Sequence, residues 1–531
     1  MNNHPTENHV FINQLGYLPT QRKIVISDLP SHSFEVIKTS SGETVYSGLM
    51  TPAQDATSNQ TVWQGDFSAL TSEGTYLIRI DQNRWSFPFP IDTHIYHHLF
   101  ELSTRFYYLQ RCGVSVNDKN HGLFHPACHV KDGFLPVSNT PIHSTGGWHD
   151  AGDYGKYAST TTITVALMLT LYELWPKRFY DGQLHIPESG NGRPDLLDEA
   201  LVGLEWLLTL QRPDGGIYRK LAGAQWPDIN TLPEADTQDR YLFGTSTADT
   251  AKFAATMSIA ARVWQTIDPA LAQTFSKAAM NAWEFLNQHQ DSLWEKSDQD
   301  EKGSGPYYYA DDTVDRIWAA LEMAILTQTP LDESTLNKIT QHQPASIGWE
   351  DPSLLGYFHY AKWDSSENAL KQVAINKITA LADQLANFSR QSGYGYTLHF
   401  KDFIWASNKE GLSRGITLIL ADHLVSNPEY RQIAESQLHF VLGLNPLSKS
   451  FVTCIGSNPV QHPHHRWVVS GGRMVPGMLV GGPNNNADSK IEPAHKGPWS
   501  YVDQTESYSS NEPAIDYNAA LMFMSGFMLG D

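Results

Sequence analysis

Between Gly146 and Tyr157 the chain reads Gly146-Gly147-Trp148-His149-Asp150-Ala151-Gly152-Asp153-Tyr154-Gly155-Lys156-Tyr157. Asp150 and Asp153, three residues apart, can hold and deprotonate a water. The glycines around them let a ligand approach the backbone. The aromatic faces suit the apolar faces of a sugar ring. The same residues also fit a Gly-rich turn, with an aspartate capping the helix that begins near Ser159. A further carboxyl acid stands far away in sequence. Glu512 sits at the mouth of the last helical segment, after Tyr501, Asp503, Tyr508 and Asn511. Its structural alternative is a first-turn glutamate favoured by the helix dipole. In Pro463-His464-His465-Arg466, His464 and Arg466 can hydrogen-bond sugar hydroxyls with fixed geometry, or form a basic surface turn.

Cys112, Cys128, His129 and His149 are of the types that make a closed tetrahedral zinc site, normally structural. Their spacing is wider than a zinc finger's. His143 competes for the fourth place, and two buried thiols with two surface histidines is the alternative. A zinc here would tie the loop of Asp150 to an earlier loop. Cys454 reads as a buried small hydrophobe.

The elements that must position these groups fall into two parts. From His9 to about Pro90, short alternating runs such as Lys23–Ser27, Phe34–Lys38 and Gly74–Ile80 alternate with turn residues. That predicts a β-sandwich over residues 1–92. Asp92-Thr93 offers a helix N-cap, so the second domain is expected over 93–531. There the apolar spacing is helical: 160–175, 194–210, 247–267, 313–326, 369–388, 411–425, 433–442 and 513–528. Roughly ten to twelve helices with no strand between them predict an α/α toroid.

The 531 residues, 41% of them hydrophobic, suffice for one large and one small domain. A net charge of −20 argues against nucleic acid and anionic membranes as partners. No apolar run reaches the ~20 residues that span a bilayer. Met1–Val10 is polar and has no apolar signal core, and three cysteines make no disulfide framework. A cytoplasmic protein is expected.

Together these pieces resemble glycoside hydrolase family 9, a cellulase family with an inverting mechanism. Gly147 through Asp153 resembles its catalytic-base motif. Ser450 through Arg466 is similar to its His-x-Arg signature, and Tyr501, Asp503, Tyr508, Glu512, Ala514 and Asn518-Ala519 to its acid signature. Ile186–Gly192 and Trp318–Glu322 look like family blocks. Asn13-Gln14-Leu15-Gly16-Tyr17 resembles the immunoglobulin-like domain that precedes one subgroup. The resemblance implies an (α/α)6 barrel with Asp153 as general base, Asp150 holding the water, Glu512 as general acid and Asp503 supporting the acid loop. It implies sugar contacts from His464, Arg466 and Tyr508. Trp405, in Trp405-Ala406-Ser407-Asn408, becomes a stacking platform. It places zinc on Cys112, Cys128, His129 and His149, and allows calcium, for which Asp311 and Asp312 are the candidates. Inversion needs acid and base on opposite faces of the sugar, ~6.5–9.5 Å apart, which two loops distant in sequence can supply.

The expected substrate is a short β-1,4-linked oligosaccharide, of glucose or of glucosamine from chitin breakdown, cut exo from its end. This follows because no export signal and no cellulose-binding module are seen. The loop 226–240 is expected to close one end of the cleft, its acids facing an ammonium. Endo cleavage of cellulose is the alternative, and a sugar-binding protein without catalysis the alternative of another class.

Overall fold

The computed structural model describes residues 9–136, 138–296, 304–308 and 311–530. The first part is an antiparallel sandwich. Its strands are β1 (Ile24–Ser27), β2 (Ser33–Lys38), β3 (Thr44–Leu49), β4 (Thr51–Asp55), β5 (Gln60–Asp66), β6 (Gly74–Ile80), β7 (Arg84–Trp85) and β8 (Phe89–Ile91). One sheet has the order β1-β5-β4, the other β3-β2-β6-β7 with β8 also on β6. Alternation turns Phe34 and Val36 of β2, and Tyr76, Ile78 and Ile80 of β6, onto a core with Tyr17, Phe67 and Phe89.

The second part carries α1 (Ile95–Gln110), α2 (Ala158–Leu174), α3 (Asp195–Thr209), α4 (Thr247–Trp264), α5 (Pro269–Gln288), α6 (Thr313–Thr327), α7 (Glu333–Gln341), α8 (Ser353–Lys362), α9 (Asn368–Ser389), α10 (Ser407–Val425), α11 (Pro428–Val441), the short α12 (Arg466–Gly471) and α13 (Tyr508–Asn511), and α14 (Ile515–Phe527). Their packing closes a ring: α2 on α4, α4 on α6, α6 on α8, α8 on α10, α10 on α14 and α14 back on α2. The helices α1, α3, α5, α7, α9 and α11 pack outside it. This is the (α/α)6 barrel. Inner helices such as α2 and α4 are buried nearly all round, whereas α5 buries one stripe.

Three expectations change. Strands do occur between the helices: β9 (Val116–Asp118) pairs with β10 (Leu123–His125), and β11 (Lys156–Tyr157), β12 (Ile217–Gly223) and β13 (Arg240–Ser246) form one sheet. β12 looks half-solvated because it carries Arg219 and Lys220. Both are buried, Arg219 over the Trp294 ring at 3.8 Å and Lys220 over Phe243 at 4.5 Å. The helix after the sandwich starts at Ile95 with no side-chain cap, Asp92 accepting from the His94 N–H one step earlier. Cys454 is exposed, in a turn at φ +62°.

The sandwich grips the barrel through Gln14. Its amide donates to Ser448 O (2.8 Å) and accepts from the N–H groups of Ser457 (3.1 Å) and Asn458 (2.8 Å).

Candidate active site

The segments that precede α2, α8, α10 and α14 meet at one end of the barrel, where the inner helices begin. Their N-terminal dipoles favour negative charge there. The segments enclose a cavity of 630 Å³ lined by Asp150, Asp153, Trp226, Tyr307, Trp349, Glu350, Trp405, His464, Arg466, Tyr508, Glu512, Asp516 and neighbours.

The loop of the two aspartates is pinned on both sides. Trp148 is fully buried and donates to Glu199 Oε1 at 2.8 Å. Lys156 Nζ donates to Ser144 O (3.0 Å) and Gly146 O (2.8 Å). Gly147 takes φ +70°, and a Cβ there would meet the Trp206 ring at 2.6 Å. Gly152 is a close-approach glycine, since a Cβ would meet His464 O at 2.0 Å and Glu512 Oε1 at 3.0 Å. The loops of Asp153, His464 and Glu512 thus converge on a residue without a side chain.

The carboxyls differ in environment. Asp150 accepts from the Thr160 hydroxyl and, at 2.9 Å, from Tyr307 OH. Burial, with Asp516 nearby, holds its pKa well above the ordinary value. Glu512 accepts from Gly152 N–H at 3.1 Å. Burial and then Asp153 hold its pKa well above the usual carboxylate range. Asp153 accepts from Gly155 N–H at 2.9 Å. Burial raises its pKa as well, but Arg466, Arg240 and His464 pull it back. Of the three, Asp153 has the most cationic support for its ionised form. Asp516 is pushed up to about 6 by burial, against the pull of Lys409.

Arg466 donates through Nε to Pro227 O (2.8 Å) and through its guanidinium to Gly152 O (3.1 Å). His464 Nδ1 lies 2.7 Å from Thr505 O, so Nδ1 carries the proton and Nε2 is an acceptor. Trp405 and Tyr508 have ring centroids 5.6 Å apart and stay partly exposed. Asp503 is not on the cavity wall. It accepts from Lys449 Nζ (2.7 Å), from the N–H groups of Gln461 and His462 (both 2.9 Å) and from Asn511 Nδ2 (3.2 Å), so it braces the loops of His464 and Glu512.

The loop between β12 and β13 contributes only Trp226 to the lining. Its acids do not face the cavity: Asp236 lies 3.3 Å from His129 Nε2. Arg240 belongs to β13 and is buried. The expectation of an acidic wall there does not hold. Besides Asp150, Asp153 and Glu512, the acids on that cavity are Glu350 and Asp516. Sequence reading missed both, together with Tyr307 and Trp349. Asp516, one helical turn after Glu512, was findable. Tyr307 and Trp349 lie in loops without periodicity.

Cys112, Cys128, His129 and His149 come together, with ligand atoms all within 4.8 Å of one another; His143 is not in the group. Cys112 Sγ–His129 Nδ1 is 3.7 Å, Cys128 Sγ–His149 Nε2 3.8 Å and His149 Nε2–His129 Nδ1 3.2 Å. A tetrahedron with zinc's bond lengths has N–N edges of ~3.3 Å and N–S edges of ~3.6 Å, so the residues fit the ion. Asp236, 3.3 Å from His129 Nε2, would orient that imidazole on a metal. Asp311 instead accepts from Thr313 N–H (2.9 Å), and Asp312 pairs with Arg316 (2.9 Å). They cap and brace α6 rather than gather into a calcium site.

The model of glycosyl hydrolase family 9 matches residues 96–525. The chain belongs to glycosyl hydrolase family 9. This family 9 member also matches the cellulase N-terminal Ig-like domain over residues 5–84. It is similar to endoglucanase D of Acetivibrio thermocellus, 32% identical over 98% of this chain and 84% of that protein. It is also similar to a cellodextrinase of Butyrivibrio fibrisolvens, 29% identical over 98% and 99%. The crystal structure of a metagenome-derived family 9 endoglucanase superposes with a TM-score of 0.94, at 41% identity over 98% of each chain. The family 9 chain is therefore a glycoside hydrolase, with an Ig-like sandwich ahead of its barrel.

Proposed function

We propose that the enzyme hydrolyses short β-1,4-linked glucosyl oligosaccharides with inversion, releasing single sugars from the non-reducing end. The observation that carries the chemistry is the contrast between Glu512 and Asp153 in one cavity. Glu512 is buried with its pKa well above the carboxylate range, so it holds a proton to give to the leaving oxygen. Asp153 is supported by Arg466, Arg240 and His464, so it takes the proton of the attacking water. Asp150, held by Thr160 and Tyr307, orients that water. His464 and Arg466 bind sugar hydroxyls, and Trp405 and Tyr508 stack on pyranose rings at the mouth. Asp503 keeps the acid loop in place.

A cavity of 630 Å³ is in the range that encloses a small molecule, which favours short chains. The cellodextrinase relative supports the same reading. The endoglucanase relative favours internal cutting as the second reading. Zinc on Cys112, Cys128, His129 and His149 is structural: with no ligand position left over, it would fix His149 and so its neighbour Asp150.

Early products from cellotetraose test the proposal. Monomer plus trimer, with the new anomer inverted, supports it. Dimers from internal cuts overturn the exo reading. Parallel turnover of cellobiose and chitosan dimer tells glucosyl from glucosaminyl specificity.

A further inference from the structure

Beside Asp150, whose carbonyl accepts from Ile515 N–H at 2.8 Å, the cavity has a charged corner. Asp516, in the first turn of α14, is 5% exposed and lines the cavity. Lys409, in the first turn of α10, places Nζ 3.6 Å from Asp516 Oδ2 and 3.1 Å from Glu350 Oε2. Glu350 comes from the loop before α8 and also lines the cavity. The first contact is an ion pair too long for a hydrogen bond. Asp516 Oδ2 is buried with no hydrogen-bond partner among the described residues.

A buried carboxylate oxygen without a donor is costly unless something supplies one. Lys409 lies closer to Glu350 and leaves this oxygen without a donor. A ligand in the cavity removes the cost by donating a hydroxyl. Position says which ligand group that is. On the reading above, Asp150 and Asp153 hold water against the anomeric carbon of the sugar being released. A group packed beside Asp150 faces that same ring rather than the leaving chain. Trp349 and Tyr307, with ring centroids 4.9 Å apart, wall the same corner.

We propose that Asp516, held by Lys409 and Glu350, is a sugar-recognition residue that accepts a hydrogen bond from one ring hydroxyl of the released sugar. The corner then selects pyranoses bearing that hydroxyl. Lys409 favours the ionised form of Asp516 from 3.6 Å away. Glu350 divides the lysine's charge, so Asp516 remains a strong acceptor.

The inference rests on the reading that single sugars are released, and the test separates the two. Aryl β-glucosides carrying intact glucose and its 2-, 3-, 4- and 6-deoxy forms are compared by kcat/KM in wild type, Asp516→Asn and Glu350→Gln, with thermal unfolding to confirm folding. Wild type is expected to reject one deoxy form by about 10- to 100-fold, the range of a hydrogen bond to a charged group. Asp516→Asn should lose most of that discrimination, with activity on the intact glucoside falling towards that of the deoxy form. Glu350→Gln lets Lys409 draw fully onto Asp516, and should weaken the same discrimination by a smaller factor. If Asp516→Asn does not fold, this second variant carries the test. Unchanged discrimination in the variants, or none in an active wild type, overturns the inference. Wild type inactive on the intact glucoside counts against the release of single sugars instead.

Discussion

Gln110 Oε1 accepts from His465 Nε2 at 3.0 Å. The same amide donates to the carbonyls of His149 (3.2 Å) and Ala151 (3.0 Å). One buried side chain at the end of α1 therefore joins the loop of Asp150 and Asp153 to the loop of His464 and Arg466. Burial lowers the His465 pKa to about 3, so this imidazole is neutral and donates through Nε2. Gln110→Leu should lower kcat by about 10- to 100-fold, the scale of a small misplacement of reacting groups. Steady-state kinetics check this, and a fall in thermal stability without a fall in kcat would reject it.

Asp153→Asn and Glu512→Gln should each reduce turnover by at least ~10²-fold on a poor leaving group, since each removes a proton transfer and keeps shape. An activated aryl leaving group needs less protonation, so it should rescue Glu512→Gln more than Asp153→Asn. Equal rescue would argue against the assigned roles.

Arg466 opposes the upward shifts of both Glu512 and Asp153. In Arg466→Met both pKa values should rise further. The acid limb of kcat/KM, set by the base, and the alkaline limb, set by the acid, should then both move to higher pH. A pH–rate profile with unmoved limbs would contradict this.

Glu512 also bears on stability. Its pKa is raised on folding, so the folded state binds more protons than the unfolded one above the ordinary value of 4.5. Stability then falls as pH rises from there towards the raised value. Glu512→Gln should be more stable than wild type at neutral pH, the advantage shrinking as pH falls to the ordinary carboxylate range. Denaturant titrations at several pH values would measure it.

Protein purified without chelator should hold one zinc per chain at the Cys112, Cys128, His129 and His149 cluster. Chelation or Cys128→Ser should lower the melting temperature, because metal binding here is folding free energy. Elemental analysis finding no zinc would reject the site.

Much of this was legible in the sequence, for physical reasons. The inner helices α2, α4, α6 and α14 showed because their apolar positions recur at helical spacing. The stretches lining the candidate site showed because Gly152, Asp150, Asp153 and Glu512 combine residue types that bare folding does not ask for together. Cys112, Cys128, His129 and His149 were visible as metal-binding types, though their spacing could not join them, and His143 stayed a rival until the fold left it out of the group. Tertiary structure alone decided the rest. Arg219 and Lys220 are packed on aromatic rings within a strand that no local pattern marked. The acids of the 226–240 loop were free to face any ligand until Asp236 was found on His129. The corner of Glu350, Lys409 and Asp516 joins three segments far apart in the chain, and no local pattern encodes such a meeting. Periodicity and residue chemistry are local properties that a sequence carries. Which side chains share a desolvated volume, and so which charges must be paired there, is fixed only when the barrel closes.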